Sequence, residues 1–189
     1  AEGLFEVQTL PLGPAAGAES VRVLKPLSAE EGYLRARLLP GLIRRVEGNW
    51  AAHTRDVRLF EIGTVFLHGE AGAPPREERR IAGVISGARE PAHWSGSGKS
   101  PDVDRWDLRA VFEAAAALAY PGATVQVEGG EWVARASAGL EIGRAGVMAA
   151  DSPPWAAPVF GFELLIDSGL RSATMFQPLP VTPAVSRDL

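Results

Sequence analysis

The 189-residue chain contains no cysteine, so neither a disulfide framework nor a thiolate metal site can be built from it. Asparagine occurs once, at Asn49, and of the 19 basic residues only Lys25 and Lys99 are lysines. We read that bias as the codon usage of a high-GC or thermophilic source, because arginine-for-lysine exchange is not a dependable stability device. Long hydrophobic runs are missing too. The longest, VFEAAAALAY, contains Glu113 and falls short of the ~20 residues that cross a bilayer. No membrane partner is expected. Glu2 and Glu6 stand where a secretory leader carries its basic region, so the cytoplasm is the expected location. Excess positive charge is also absent. The net charge is -4 and the basic residues are dispersed along the sequence, which argues against non-specific nucleic-acid binding by this chain alone.

What is present is 46% hydrophobic content, enough for one domain that buries roughly two-thirds of its unfolded surface. From residue 34 to 50 the periodicity is helical. Leu38, Leu42 and Val46 recur at i, i+4 and i+8 with Leu39 and Ile43 beside them, backed by Arg37, Arg44, Arg45 and Glu47. This predicts a helix over Leu34–Trp50, with Pro40 best placed in a first turn, where its missing N–H costs nothing. From Val57 to Leu67 the period becomes two, with Phe60, Ile62 and Phe66 on one face and Leu59, Glu61, Gly63 and Val65 on the other. Further strands are predicted at Leu4–Leu10, Val21–Leu24, Arg80–Gly87, Thr124–Val127, Ala134–Ala136, Leu140–Ala149 and Val159–Ile166. A second helix is predicted at Arg105–Tyr120, capped by Asp104 with Asp107 at N3. Its buried stripe is read as Leu108, Val111, Phe112, Ala115 and Leu118, and Pro121-Gly122 stop it. Strands that follow one another without an intervening helix argue for an α+β fold, a mostly antiparallel sheet flanked by helices.

Candidate chemistry fails at each place it could arise. The stretch WSGSGKS, residues 94–100, imitates a phosphate loop, but His93 stands at the first glycine position and Pro101-Asp102 follow where a helix should start. It reads as a Gly/Ser connector. His53, His68 and His93 are far apart in sequence and none has a second ligand at metal spacing on a shared helix or strand, and no serine lies in a nucleophile elbow. Asp102, Asp104 and Asp107 are explained by the helix start they occupy. Glu61 is the one acid that a central strand does not accommodate freely, and we expect it to be structural, paired with a nearby arginine such as Arg58.

Five blocks in order resemble the carboxy-terminal core region of the bacterial phenylalanyl-tRNA synthetase β subunit. They are VLKPLSAEEGYLRARLLPGL (Val23–Leu42), RLFEIGTVF (Arg58–Phe66), IAGVISG (Ile81–Gly87) with Trp94, VDRWDLRAVFE (Val103–Glu113) and PAVSRDL (Pro183–Leu189). Lys25 stands where the family usually has Asn, and WVARASA only loosely follows the family pattern.

The resemblance implies a class II aminoacyl-tRNA synthetase-like core over residues 1–182 and the start of an anticodon-binding domain at 183–189. A chain that opens at Ala1 and stops at Leu189 is then expected to be part of a longer protein. It also implies a fold that has lost its chemistry. An adenylating site needs arginines to neutralise the phosphates, whereas VFGFELLIDSGLR places Glu163 where the nucleotide would lie and offers Arg171 as the only nearby base. No catalytic, cofactor-binding or metal-binding residue is therefore expected, and ATP and Mg would bind elsewhere in the whole enzyme. The implied partner is the α subunit in an α2β2 assembly, contacted through Leu38, Leu39, Leu42, Ile43 and Val46, with tRNA held mainly by other modules. The alternative is a free-standing small-molecule or nucleotide binder that uses the sheet face around Glu61.

Overall fold

The computed structural model describes residues 3–15, 17, 20–26, 28, 31–69, 74–90 and 100–166. The chain opens with four two-residue strands, β1 (Phe5–Glu6), β2 (Leu12–Gly13), β3 (Val21–Arg22) and β4 (Tyr33–Leu34), followed by α1 (Leu39–Ala51). Two long strands, β5 (Val57–Leu67) and β6 (Arg76–Ser86), precede α2 (Arg105–Ala119). Four more complete the order: β7 (Thr124–Glu128), β8 (Glu131–Arg135), β9 (Glu141–Met148) and β10 (Val159–Leu165). The main sheet runs β1-β5-β6-β10-β9-β8-β7, antiparallel throughout except that β1 lies parallel to β5. A small second sheet, β2-β4-β3, was not anticipated from the sequence.

Alternation along the strands splits the core into two layers. Leu38, Leu42, Val46 and Trp50 of α1 pack on Val57, Leu59, Val65, Ala82, Val84 and Val159. The intervening residues, among them Ile85, Phe160, Phe162 and Leu164, face the other way and meet Leu108, Phe112 and Ala116 of α2. Phe112 and Phe162 meet as a tilted ring pair at 5.7 Å between centroids. Gly83 sits opposite Phe162, whose ring occupies the space a β-carbon would need, so the close approach of β6 and β10 depends on a glycine there.

Several boundaries differ from the sequence reading, each for a physical reason. The first helix begins at Leu39 and not at Leu34, because the backbone of Leu34 is taken up by pairing with Leu12 and Val21. Pro40 does lie in the first turn. The strand predicted at Leu4–Leu10 shrinks to Phe5–Glu6, since Thr9 turns its own N–H and hydroxyl toward Glu61. The strand predicted from Arg80 begins at Arg76, where its charged residues extend the ladder with β5. Leu118 is 86% exposed, and Ala116 takes its place in the stripe. Six residues beyond Phe112 puts Leu118 about 120° around the helix. Asp104 does form the expected capping box with Asp107. Among the described residues no helix is long and apolar enough to cross a membrane. The proposed domain start at 183–189 lies outside the described residues.

Candidate functional site

One row across the sheet carries the charged groups that define the site. Glu61 on β5 pairs in register with Ala82 on β6, Ala82 with Glu163 on β10, and Glu163 with Arg144 on β9. Registered neighbours share a face, so two carboxylates flank Ala82 on the side that carries α1. Both are buried: Glu61 is 2% exposed and Glu163 9%. A buried carboxylate must be hydrogen-bonded or paired.

Glu61 is satisfied by segments distant in sequence. Arg35 Nη1 donates to its Oε1 at 2.7 Å, the Thr9 hydroxyl to Oε2 at 2.7 Å and the Thr9 N–H to Oε1 at 3.2 Å. Arg35 also donates through Nε to the Thr64 carbonyl at 2.8 Å and through Nη1 to the Thr9 carbonyl at 3.2 Å. The partner is thus Arg35 and not Arg58, and strand parity explains the correction. Arg58 is even-numbered like Phe60 and leaves β5 on the face opposite Glu61, where it donates to the carbonyls of Ala88 and Arg89.

Glu163 does two things at once. Its Oε2 accepts the backbone N–H groups of Leu38 and Leu39 at 3.2 Å each, and its Oε1 accepts from Arg80 Nη1 at 3.0 Å. Leu38 is the N-cap of α1 and offers no capping side chain, so a carboxylate from a remote strand supplies the cap and meets the positive end of the helix. Arg80 also grips Glu78 through Nη2 at 2.7 Å. Burial works to lower the Arg80 pKa, but hydrogen bonds with Glu78 and Glu163 outweigh it and hold the guanidinium above its ordinary value. Arg144 is held higher still by Glu141, at 2.6 Å from Nε, and by Glu131, at 3.2 Å from Nη1.

These side chains line a cleft of about 470 Å³ on the sheet face. Arg37, Arg80 and Arg144 there face Glu78, Glu131, Glu141 and Glu163, so the lining carries one more negative than positive charge. None of the described lining residues is a histidine, serine or threonine. Arg80 and Arg144 are each paired with two carboxylates, while Arg37 has no ion pair among the described residues.

The other sequence candidates fall elsewhere. Asp104 and Asp107 cap α2 and share Arg89, at 3.0 and 2.9 Å, while Asp102 pairs with Arg55 at 2.8 Å. Among the described residues no three His, Cys, Asp or Glu side chains gather as a metal would require. His53 stacks on Trp155 with ring centroids 6.4 Å apart, and His68 is exposed. His93, Arg171 and residues 94–99 of WSGSGKS lie outside the described residues. Of the five residues expected to contact a partner, Leu38, Leu42 and Val46 are completely buried against their own sheet. Leu39 and Ile43 stay half-buried. The sequence reading gave Glu163 no structural role, and nothing local could have supplied one, because its partners lie 83 or more residues away.

A mostly antiparallel sheet with helices on both faces and a cleft on one of them is the architecture of class II aminoacyl-tRNA synthetases. The crystal structure of pyrrolysyl-tRNA synthetase from Desulfitobacterium hafniense matches it with a TM-score of 0.59, over 87% of this chain and 61% of that one. At 14% identity the likeness is one of fold. Residues 6–145 match the family model described as the phenylalanyl tRNA synthetase beta chain CLM domain, and the chain belongs to that family. The phenylalanine–tRNA ligase beta subunit of Geobacillus kaustophilus is 31% identical over 91% of this chain and 23% of its own length. That of Anaeromyxobacter dehalogenans is 30% identical over 95% and 24%, and that of Xylella fastidiosa 41% identical over 51% and 12%. The chain therefore spans about a quarter of the length of the relatives that it matches from end to end.

Proposed function

We propose that this chain is the non-catalytic, class II-like module of a phenylalanine–tRNA ligase β subunit, and that it supports the α catalytic subunit within an α2β2 assembly. The carrying observation is the occupation of the sheet-face cleft by its own charges. Arg80 and Arg144 are each bound to two carboxylates, and Glu163 is spent on the start of α1. Phosphoryl chemistry requires cations free to meet developing negative charge, and a lining with net negative charge repels a nucleotide. ATP and Mg would then act in the α subunit.

On this reading Ile43, with Leu39, is the part of the α1 stripe left to meet the α subunit. Two measurements test the proposal. The purified chain should give no phenylalanine-dependent pyrophosphate exchange above a no-enzyme control, and on co-expression it should co-elute with an α subunit in size-exclusion chromatography. Exchange activity, or separate elution, would overturn it. The small-molecule alternative is favoured by one observation, the cleft itself with Arg37 unpaired among the described residues. Saturable binding of ATP or phenylalanine by this chain in calorimetry would decide for that alternative.

A further inference from the structure

On the other flank of α1 a concavity of about 240 Å³ is lined by arginines that already lie close together in the sequence. Arg37, Arg44 and Arg45 line it beside Thr9, Gly13 and Pro40. All three are exposed, and among the described residues their guanidinium groups have neither an ion pair nor a hydrogen bond. Several other surface arginines, Arg55, Arg89, Arg135 and Arg144, are by contrast each held by carboxylates. The fourth arginine of the concavity, Arg35, is committed to Glu61, and Glu31 is the only acidic group in the described lining. Three unneutralised cations against one carboxylate, in a chain whose net charge is -4, form a local positive field.

We propose that this concavity binds the phosphodiester backbone of an RNA strand. A small oxyanion is usually held by converging backbone N–H groups at a helix start, and α1 has none to give. The Leu38 and Leu39 N–H groups go to Glu163, Pro40 has no N–H, and Gly41 donates to the Leu38 carbonyl at 3.0 Å. Only guanidinium groups remain. Spread along an open surface, they suit a chain of phosphates, which arginine meets with its planar fork of donors. The inference rests on reading the chain as part of a tRNA-charging ligase, since that reading brings RNA within reach.

The test is fluorescence anisotropy of a short labelled RNA hairpin with the 189-residue chain across a potassium chloride series. Wild-type chain should bind with an affinity that falls steeply with salt. The double variant Arg44→Glu/Arg45→Glu should weaken binding about tenfold or more and flatten the salt slope by about 1 per arginine. Arg79→Glu makes the same kind of charge reversal on the opposite face of the sheet and should stay within about twofold of wild type. Thermal melts followed by circular dichroism confirm that each variant is folded. Equal losses in the double variant and Arg79→Glu, or no binding by wild type at low salt, would overturn the proposal. So would saturable binding of inorganic phosphate that the double variant abolishes without any change in RNA affinity. Co-elution with an α subunit is a separate readout, so failure here and failure of the scaffold reading are distinguishable.

Discussion

Glu163 and Leu38 lie 125 residues apart in the chain, and the Leu38 N–H donates to Glu163 Oε2 at 3.2 Å. That bond and its twin from Leu39 join the last described strand of the sheet to the first turn of α1. The same side chain accepts from Arg80 on β6, so one carboxylate ties two strands of the sheet to the start of the helix.

Glu163→Gln should therefore destabilise the chain. The amide keeps one acceptor but loses the charge that meets both Arg80 and the helix start, and we expect a loss of ~1–3 kcal/mol in urea unfolding. An unchanged unfolding midpoint would show that the cap contributes nothing.

Glu61 and Arg35 form the second buried pair. Removing one partner strands the other, so Glu61→Gln and Arg35→Met should each cost ~2 kcal/mol or more, and the double variant less than the sum. Denaturant titration of all four proteins gives the coupling energy, which should be about 1 kcal/mol or larger. Aminoacylation by an assembled enzyme carrying Glu61→Gln should stay near wild type, and collapse of activity with unchanged stability would refute the structural role.

Neighbouring residues on α1 should separate folding from association. Leu42 is completely buried among Val46, Leu59 and Val84, so Leu42→Ala should lower stability by ~2–5 kcal/mol. Ile43→Glu should leave the thermal melt almost unchanged yet weaken α-subunit association by ~2 kcal/mol, the scale of an interface hot spot. If Ile43→Glu instead unfolds the chain while association of the remaining folded protein is normal, the proposed contact lies elsewhere.

The α2 cap should make stability depend on acidity. The backbone N–H groups of Trp106 and Asp107 hold the Asp104 carboxyl below its ordinary pKa, and Arg89 adds to the effect. A carboxyl depressed by folding stabilises at pH values above its unfolded pKa of about 4, and that stabilisation is lost as pH falls through the lower folded pKa. Asp104→Ala should cost about 1 kcal/mol at neutral pH, a modest figure because the group is half-exposed and screened. The gap between variant and wild type should narrow below about pH 4, and a gap constant down to pH 2 would contradict the linkage.

Local chemistry was legible in the residues themselves. The capping box at Asp104 and Asp107, the strand at Val57–Leu67, the Pro40 first turn and the α+β class all follow from signals within a few residues of one another. The stripe Leu38, Leu42, Val46 was also visible, but a stripe states only that something covers it. Whether its own sheet or a second subunit does so is a tertiary question, and the sheet covers it.

Charge pairing was the least legible, because it is set by which strands become neighbours. β10 is inserted between β6 and β9, and this brings Glu163 within reach of Arg80 on one side and of the α1 backbone above. The same folding carries Arg35 to Glu61 and leaves Arg37, Arg44 and Arg45, neighbours in the sequence already, unpaired around one hollow among the described residues. The sequence by itself determined the periodicities and the capping box of α2, since those depend on side chains a turn or a pleat apart. Only the tertiary structure decided which charges are neutralised and which stay free, because an ion pair depends on distances of about 3 Å that only the packed chain defines.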